Sequence, residues 1–186
     1  PFQSQGLISR PLYAEPFKVA LPGDHPLAKK KRIDAAELAD RTLLLLAARN
    51  CFRDQVMEAC PGCITTGESG KTELTKTLEG SSLNTISQMV AMGAGVTILP
   101  STMRINEDLG AHLAIRPFTL PVPSRTVAIF YRRGFARPAL INCLAQAIRA
   151  AISTFAASSR RASPVSSKKP LSTPRSTLTR IALARS

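Results

Sequence analysis

Short apolar runs alternate with amphipathic segments along most of this chain. Runs rich in leucine, β-branched or aromatic residues that are bounded by turn residues are typical of strands. The run at 43–46 consists of four leucines, which is too short for a helix and indicates a buried strand. We predict strands at 17–21, 43–46, 96–100, 112–118 and 125–133.

The segments between these strands have helical spacing and helix-capping residues. Asp34 precedes a short helix with Glu37 three residues on, which is the spacing of a capping box. Residues 51–60 have helical periodicity that ends at Pro61-Gly62. Ser81 or Ser82 is expected to cap a helix that Gly93 or Gly95 ends, and 101–110 predicts a short helix or turn.

A long helix is predicted to start at Pro138, with one apolar face against the core. The residues of that face are Leu140 or Ile141, Leu144, Ile148, Ile152 and Phe155. Helices that alternate with strands through short loops predict an α/β domain on a largely parallel sheet. We expect this domain to span 1–156.

Residues 157–186 differ in composition and are expected to form a disordered basic tail. They hold seven Lys and Arg and no acidic residue, so more than half of the net charge of +13 lies there. A basic tail attracts anions whatever the folded part does, so the charge alone does not indicate a nucleic-acid-binding domain. No run approaches the roughly 18 apolar residues of a membrane span, and no signal peptide is recognisable, so we expect a cytoplasmic protein.

The candidate chemistry lies in a cysteine cluster. Cys51 lies between Arg49 and Arg53 at a predicted helix N-terminus, where positive charge and the helix dipole favour a reactive thiolate. Cys60 is nine residues on, about 13 Å away in a continuous helix at 1.5 Å per residue. A disulfide needs Cα atoms within about 7 Å, so bridging the two would require the helix to unwind. Ordinary packing roles remain the alternative.

Other interpretations of the cysteines have less support. Cys60-Pro61-Gly62-Cys63 ends a predicted helix, whereas a thioredoxin-like pair opens one. Three nearby thiols and two isolated histidines, His25 in a turn and His112 in a strand, do not match a zinc site, and we expect no metal or cofactor. Cys143 is predicted to be a buried helix residue.

Four segments in this order resemble the effector-binding domain of LysR-type transcriptional regulators, and within that family the peroxide-sensing OxyR branch. They are PLYAEPFKVALPGDHPLA, LLLLAARNCFRDQVMEAC, SSLNTISQMVAMGAGVTILP and RTVAIFYR. The resemblance covers about residues 11–155. It implies a periplasmic-binding-protein-like α/β fold, mainly its second subdomain, with a mixed parallel sheet and flanking helices.

The resemblance also assigns roles to individual residues. Cys51 matches the peroxidatic cysteine and Cys60 the resolving cysteine of a regulatory disulfide, while Cys63 is an additional thiol that would serve as a backup. Asn50 stands where the branch commonly has His. The polar residues that would bind peroxide or effector are Asn50, Arg53, Asp54, Ser81, Ser82, Thr85 and Arg125.

Members of this family act as DNA-binding regulators rather than enzymes, and the resemblance implies hydrogen peroxide as partner and a homodimer or tetramer. DNA would be bound only through a helix-turn-helix domain that this sequence lacks, so we expect a fragment or truncated homologue. Two alternatives remain open: a domain that binds a small anion at the Ser81-Ser82 helix start without redox switching, or a fragment without function.

Overall fold

The computed structural model describes residues 6–48, 50–63 and 77–161, with side chains as far as 155. The strands are β1 (Leu7–Pro22), β2 (Leu43–Leu46), β3 (Thr77–Gly80), β4 (Val96–Pro100), β5 (Leu113–Pro117) and β6 (Ser124–Arg132). The α-helices are α1 (Cys51–Ala59), α2 (Leu83–Ala91), α3 (Glu107–Gly110) and α4 (Pro138–Arg161). Two compact units are distinguished, Pro1–Arg149 and Ala150–Ser186, and the sheet and the candidate site lie in the first.

The sheet is mixed, with the strand order β3-β2-β4-β1-β5 and with β6 paired to β1. β2 pairs in parallel with β3 and β4, as expected for strands joined by helices. The pairings of β1 with β4, β5 and β6 are antiparallel, so the prediction of a largely parallel sheet is wrong for this half. The mixed sheet that the family resemblance implied is confirmed.

β1 is far longer than the predicted strand at 17–21 and serves two sets of neighbours. Its second half, from Phe17, pairs with β4 and β5 inside the core. Its first half pairs with β6, with an irregularity between Pro11 and Tyr13. The first half carries prolines and charged residues in an edge-like pattern, so it gives little local strand signal.

The four leucines of β2 are all buried, which confirms the predicted buried strand. They pack in one core with residues from the sheet and from α1 and α2. A parallel strand covered on both faces needs apolar side chains on both, which is why the run does not alternate.

The predicted helix boundaries at the site are confirmed. Asn50 caps α1, and Ser82, rather than Ser81, caps α2. Gly93, at a φ of 84°, follows the end of α2 in the left-handed region where glycine is favoured. The capping box of Asp34 and Glu37 is present, although the segment it begins, Ala35–Leu38, is a 3-10 turn.

α4 begins at Pro138 as predicted, and Ile141, one of the two predicted alternatives, is buried, but Leu144 is not. Ile141 and Ala145 are buried, whereas Leu140 and Leu144 are about half exposed. Leu140 and Leu144 line an open groove of about 870 Å³ together with Phe130 and Phe135. Helical periodicity identifies an apolar face but not which part of it meets the core, so the predicted burial of Leu144 is wrong.

Two further expectations about this helix are corrected. Cys143 is an exposed free thiol rather than a buried one. The helix also continues through Arg161, beyond the predicted end of order at 156, while the rest of the predicted tail, 162–186, lies outside the described residues. None of the helices described here is long and apolar enough to cross a bilayer.

Candidate functional site

Cys51 is the first residue of α1 and is an exposed free thiol. Asn50 precedes it in extended backbone, and the Asn50 side chain accepts a hydrogen bond from the N–H of Phe52 at 3.0 Å. The site residue Asp54 is exposed in the first turn of the same helix. The backbone therefore places the Cys51 thiol in the N-terminal turn of α1.

Arg53 does not accompany Cys51, contrary to the sequence-based expectation. It is buried on the opposite side of α1, donates to the carbonyl of Leu46 at 3.3 Å and forms an ion pair with Glu79. Residues two apart on a helix do not share a face, and the Glu79 carboxylate compensates the guanidinium. Arg53 therefore ties α1 to β2 and β3. Arg49, the other arginine expected beside Cys51, lies outside the described residues.

Arg125 reaches the site from β6. Its Nε and Nη2 donate to Oε2 of Glu15 at 2.8 and 2.7 Å, and its Nη1 donates to Gln55 of α1 at 3.1 Å. The guanidinium carbon also lies 5.1 Å from the ring centre of Phe52. Glu15 and Arg125 are direct partners across the β1–β6 ladder, so strand register brings them together.

Glu15 is almost fully buried, at 1% exposure, and all of its partners are donors. Besides Arg125, the backbone N–H of Thr102 donates to it at 3.1 Å, and the Thr102 hydroxyl contacts the same oxygen. A buried carboxylate is tolerated only when it is paired and hydrogen-bonded in this way. This network fixes Arg125 against the N-terminal turns of α1.

The start of α2 supplies hydroxyl groups. The Ser82 side chain accepts from the N–H of Thr85 at 3.1 Å, and the two hydroxyl oxygens are 2.9 Å apart. Ser81 is exposed immediately before it. Ser82 and Thr85 thus form the cap of α2, and both Ser81 and Ser82 are exposed at the helix start.

An open cavity of about 450 Å³ lies between the N-termini of α1 and α2. It brings together four of the predicted site residues, Asn50, Ser81, Ser82 and Arg125. Arg53, Asp54, Thr85 and the three cysteines of the cluster are not among its lining residues, although Cys51 directly follows Asn50. The cavity therefore has hydrogen-bonding walls, two helix N-termini and one guanidinium whose charge is already compensated.

Cys60 and Cys63 form a disulfide in this structure, with Cα atoms 5.6 Å apart. Both are buried, and the N–H of Cys63 donates to the carbonyl of Cys60 at 3.0 Å within a short 3-10 turn. The bridge between Cys51 and Cys60 is not the one formed here, and it stays a prediction. The backup role proposed for Cys63 has to be reconsidered, because Cys63 already holds Cys60.

The two histidines have structural surroundings. The Nδ1 atom of His25 accepts from the N–H of Leu27 at 3.1 Å at the start of a turn, as expected for a turn residue, and burial lowers its pKa. His112 is exposed. Among the described residues, no three His, Cys, Asp or Glu side chains gather in a group that could hold a metal.

Sequence reasoning did not single out Glu15, Gln55 or Phe52, the three partners of Arg125. Glu15 is 110 residues from Arg125 along the chain, so only knowledge of strand register could have paired them. Gln55 and Phe52 lie in the helix that begins at Cys51. Helical spacing shows which residues share a face of that helix, but not that this face contacts Arg125 of β6.

Residues 1–153 match the family of LysR substrate binding domains. The chain belongs to this family. The probable hydrogen peroxide-inducible genes activator of Mycobacterium leprae is 36% identical over 155 residues, which cover 83% of this chain and 48% of the relative. The DNA-binding transcriptional dual regulator OxyR of Escherichia coli is 36% identical over 148 residues, covering 80% and 46%.

The chain is also similar to solved structures of OxyR regulatory domains. The reduced form of the OxyR regulatory domain from Pseudomonas aeruginosa has 44% sequence identity and a TM-score of 0.63, with 80% of this chain and 66% of that one covered. The chain spans about half the length of the curated relatives it matches, 46–48% for the two above.

Proposed function

We propose that this chain is the redox-sensing part of the regulatory domain of a cytoplasmic, hydrogen peroxide-inducible LysR-type activator. Peroxide oxidises Cys51, and condensation of the oxidised Cys51 with Cys60 remodels α1. The whole regulator binds DNA through a helix-turn-helix domain that lies outside this sequence, and it works as a homodimer or tetramer. The Mycobacterium leprae relative, named as a probable hydrogen peroxide-inducible genes activator, and the Escherichia coli relative, named as the DNA-binding regulator OxyR, support this proposal.

The observation that carries it is the position of Cys51. A free, exposed thiol begins α1 beside a cavity lined by Asn50, Ser81, Ser82 and Arg125. The thiolate is the nucleophile toward peroxide, and a helix N-terminus stabilises it. The product is a sulfenic acid, which condenses with a thiol to give a disulfide and water.

The walls of the cavity suit a small neutral oxidant. Peroxide both donates and accepts hydrogen bonds, and the Asn50 amide and the Ser81 and Ser82 hydroxyls can do the same. Arg125 contributes donors from a rigid, paired position, so we propose that it orients peroxide without adding uncompensated charge. Asp54 and Thr85 then support the two helix starts rather than contact peroxide.

The cavity also gives a specific reason to consider the second candidate, a small-anion effector. Two helix N-termini point their positive ends toward it, which favours an anion. Against this, Glu15 compensates the one guanidinium lining the described cavity. We therefore favour the peroxide function.

The test compares the two exposed free cysteines, Cys51 and Cys143, each located in a helix. The purified chain is reduced, treated with one equivalent of peroxide in the presence of dimedone, and mapped by mass spectrometry. We expect the sulfenic-acid adduct on Cys51 and little on Cys143, with Cys143→Ser behaving as the parent chain. Equal labelling of the two cysteines would overturn the proposal.

Inorganic phosphate serves as the probe for the anion candidate. If phosphate raises the melting temperature of the parent chain but not of Ser82→Ala, while Cys51 shows no selective oxidation, the anion function replaces the peroxide function.

A further inference from the structure

The disulfide between Cys60 and Cys63 changes how oxidation of Cys51 would end. We propose that Cys63 is the terminal thiol of a three-cysteine relay: it attacks the transient Cys51–Cys60 bridge, closes the Cys60–Cys63 bridge and returns Cys51 to its thiol form. This inference rests on the proposed reaction of Cys51 with peroxide. The state described here, with a free Cys51, an intact α1 and a Cys60–Cys63 disulfide, is the product of that relay.

The relay consists of three balanced steps. The Cys51 thiolate attacks one oxygen of peroxide, and Cys51 becomes a sulfenic acid as hydroxide leaves. The Cys60 thiol then displaces that hydroxyl as water, and the sulfur–sulfur bond between Cys51 and Cys60 forms. Finally, the Cys63 thiolate attacks the Cys60 sulfur, the bond to Cys51 breaks, and Cys51 leaves as a thiolate.

In total, one peroxide takes two electrons from the thiols of Cys60 and Cys63 and yields two waters. A dithiol reductant returns two electrons and two protons to the Cys60–Cys63 bridge and becomes a disulfide itself. Cys51 is chemically unchanged at the end of the cycle.

The geometry favours the final bridge over the intermediate one. Cys60 and Cys63 have Cα atoms 5.6 Å apart while α1 is intact. Cys51 and Cys60 are separated by the length of α1, about 13 Å for nine residues of helix, so their bridge requires α1 to unwind. Unwinding withdraws Phe52 and Val56 from the core, where both are buried.

The turn that carries Cys63 is built for close approach to Cys60. Pro61 and Gly62 follow the end of α1, and the backbone hydrogen bond from Cys63 to Cys60 already closes the turn at 3.0 Å. On the other side of the exchange, release of Cys51 lets α1 re-form and return Phe52 and Val56 to the core. Both ends of the exchange therefore drive it toward the Cys60–Cys63 bridge.

The experiment follows disulfides over time in the full chain after reduction and removal of the reductant. One equivalent of peroxide is added, samples are quenched in acid and alkylated, and linked peptides are quantified. In the parent chain we expect a Cys51–Cys60 peptide that rises and then decays as the Cys60–Cys63 peptide accumulates with alkylated Cys51. A Cys51–Cys60 bridge that persists in the parent chain would overturn the relay.

Two variants separate the relay from simpler routes. In Cys63→Ala the Cys51–Cys60 bridge should persist, because no third thiol remains to attack it. We expect its final level to be at least about tenfold above that of the parent chain. In Cys51→Ser the Cys60–Cys63 bridge should form much more slowly with peroxide. If it forms at the parental rate, peroxide oxidises the pair directly and the relay is wrong.

The outcomes also distinguish the relay from the proposed function. A stable Cys51–Cys60 bridge in both the parent chain and Cys63→Ala leaves the peroxide function standing and removes only the relay. If Cys51 is not oxidised in either protein, both fail. Should Cys63→Ala not fold, as judged by circular dichroism, the time course of the parent chain and the Cys51→Ser comparison decide the matter.

Discussion

The Arg125–Glu15 pair is expected to be the most sensitive electrostatic contact at the site. Arg125→Met removes the guanidinium and leaves the Glu15 carboxylate, 1% exposed, with only the donors of Thr102. Breaking a buried ion pair by removing one partner costs about 3–5 kcal/mol. The Arg125 side chain is 27% exposed, so water can reach the vacated position, and we expect the lower end, about 3 kcal/mol.

In a domain of this size, 1 kcal/mol corresponds to about 2–4 °C, so we expect the melting temperature to fall by about 6–12 °C. The assay is thermal and urea unfolding followed by circular dichroism. Arg132→Met is the matched control, because Arg132 is an exposed residue of the same strand, and it should change stability by less than about 0.5 kcal/mol.

The double variant Glu15→Gln, Arg125→Met tests the physical reason. A neutral amide no longer needs a cation, so the second substitution should recover part of the lost stability rather than add to the loss. The reasoning is refuted if Arg125→Met is no more harmful than Arg132→Met, or if the two losses at Glu15 and Arg125 simply add.

Three further predictions concern positions away from the cysteines. Gly95→Ala should lower the free energy of unfolding by about 3 kcal/mol, because φ is 155° and the new Cβ would lie 2.3 Å from the Thr42 carbonyl oxygen. The control Gly134→Ala places its Cβ within 4 Å of no other atom and should be nearly neutral. Hydrogen bonds from the Ala36 N–H and the Thr119 hydroxyl hold the pKa of Asp34 below its usual value of 3.8. The ionised Asp34 therefore stabilises the folded state fully above pH 3.8, and this contribution is lost at lower pH as the carboxylate becomes protonated. Asp34→Asn should therefore lose less melting temperature than the parent chain between pH 5 and pH 3, within which that usual value lies; an equal loss contradicts this. Deleting residues 162–186 should leave the melting temperature unchanged, because their sequence offers no apolar face, and a drop of several degrees would count against it.

Local chemistry made much of the site predictable. Ser82 is a helix-capping residue that precedes an apolar-periodic segment, and it caps α2 as one of the two predicted alternatives, while α1 begins at Cys51 as its helical spacing indicates. The leucine run of β2 and the glycine after α2 are likewise local signals. These features position Cys51 and the cavity because each depends on a few neighbouring residues.

The rest depends on contacts between distant segments. The antiparallel pairing of β1 places Glu15 opposite Arg125, and no pattern near either residue indicates that register. Arg53 was expected beside Cys51, but its partner Glu79 lies 26 residues on, in a strand that the sequence did not predict. The exposure of Cys143 depends on how α4 is rotated, which helical periodicity does not fix.

Phe52 connects the chemistry of Cys51 to the sheet. Its ring packs edge-on against Phe17 of β1 at 5.6 Å and lies under the guanidinium of Arg125 at 5.1 Å. A bridge from Cys51 to Cys60 has to unwind α1, which removes Phe52 and Val56 from the core at about 1.5–3 kcal/mol each. The same movement breaks the contact of Gln55 with Arg125. Oxidation would therefore reach β1 and β6 through Arg125, and closure of the Cys60–Cys63 bridge would restore that contact by letting α1 re-form.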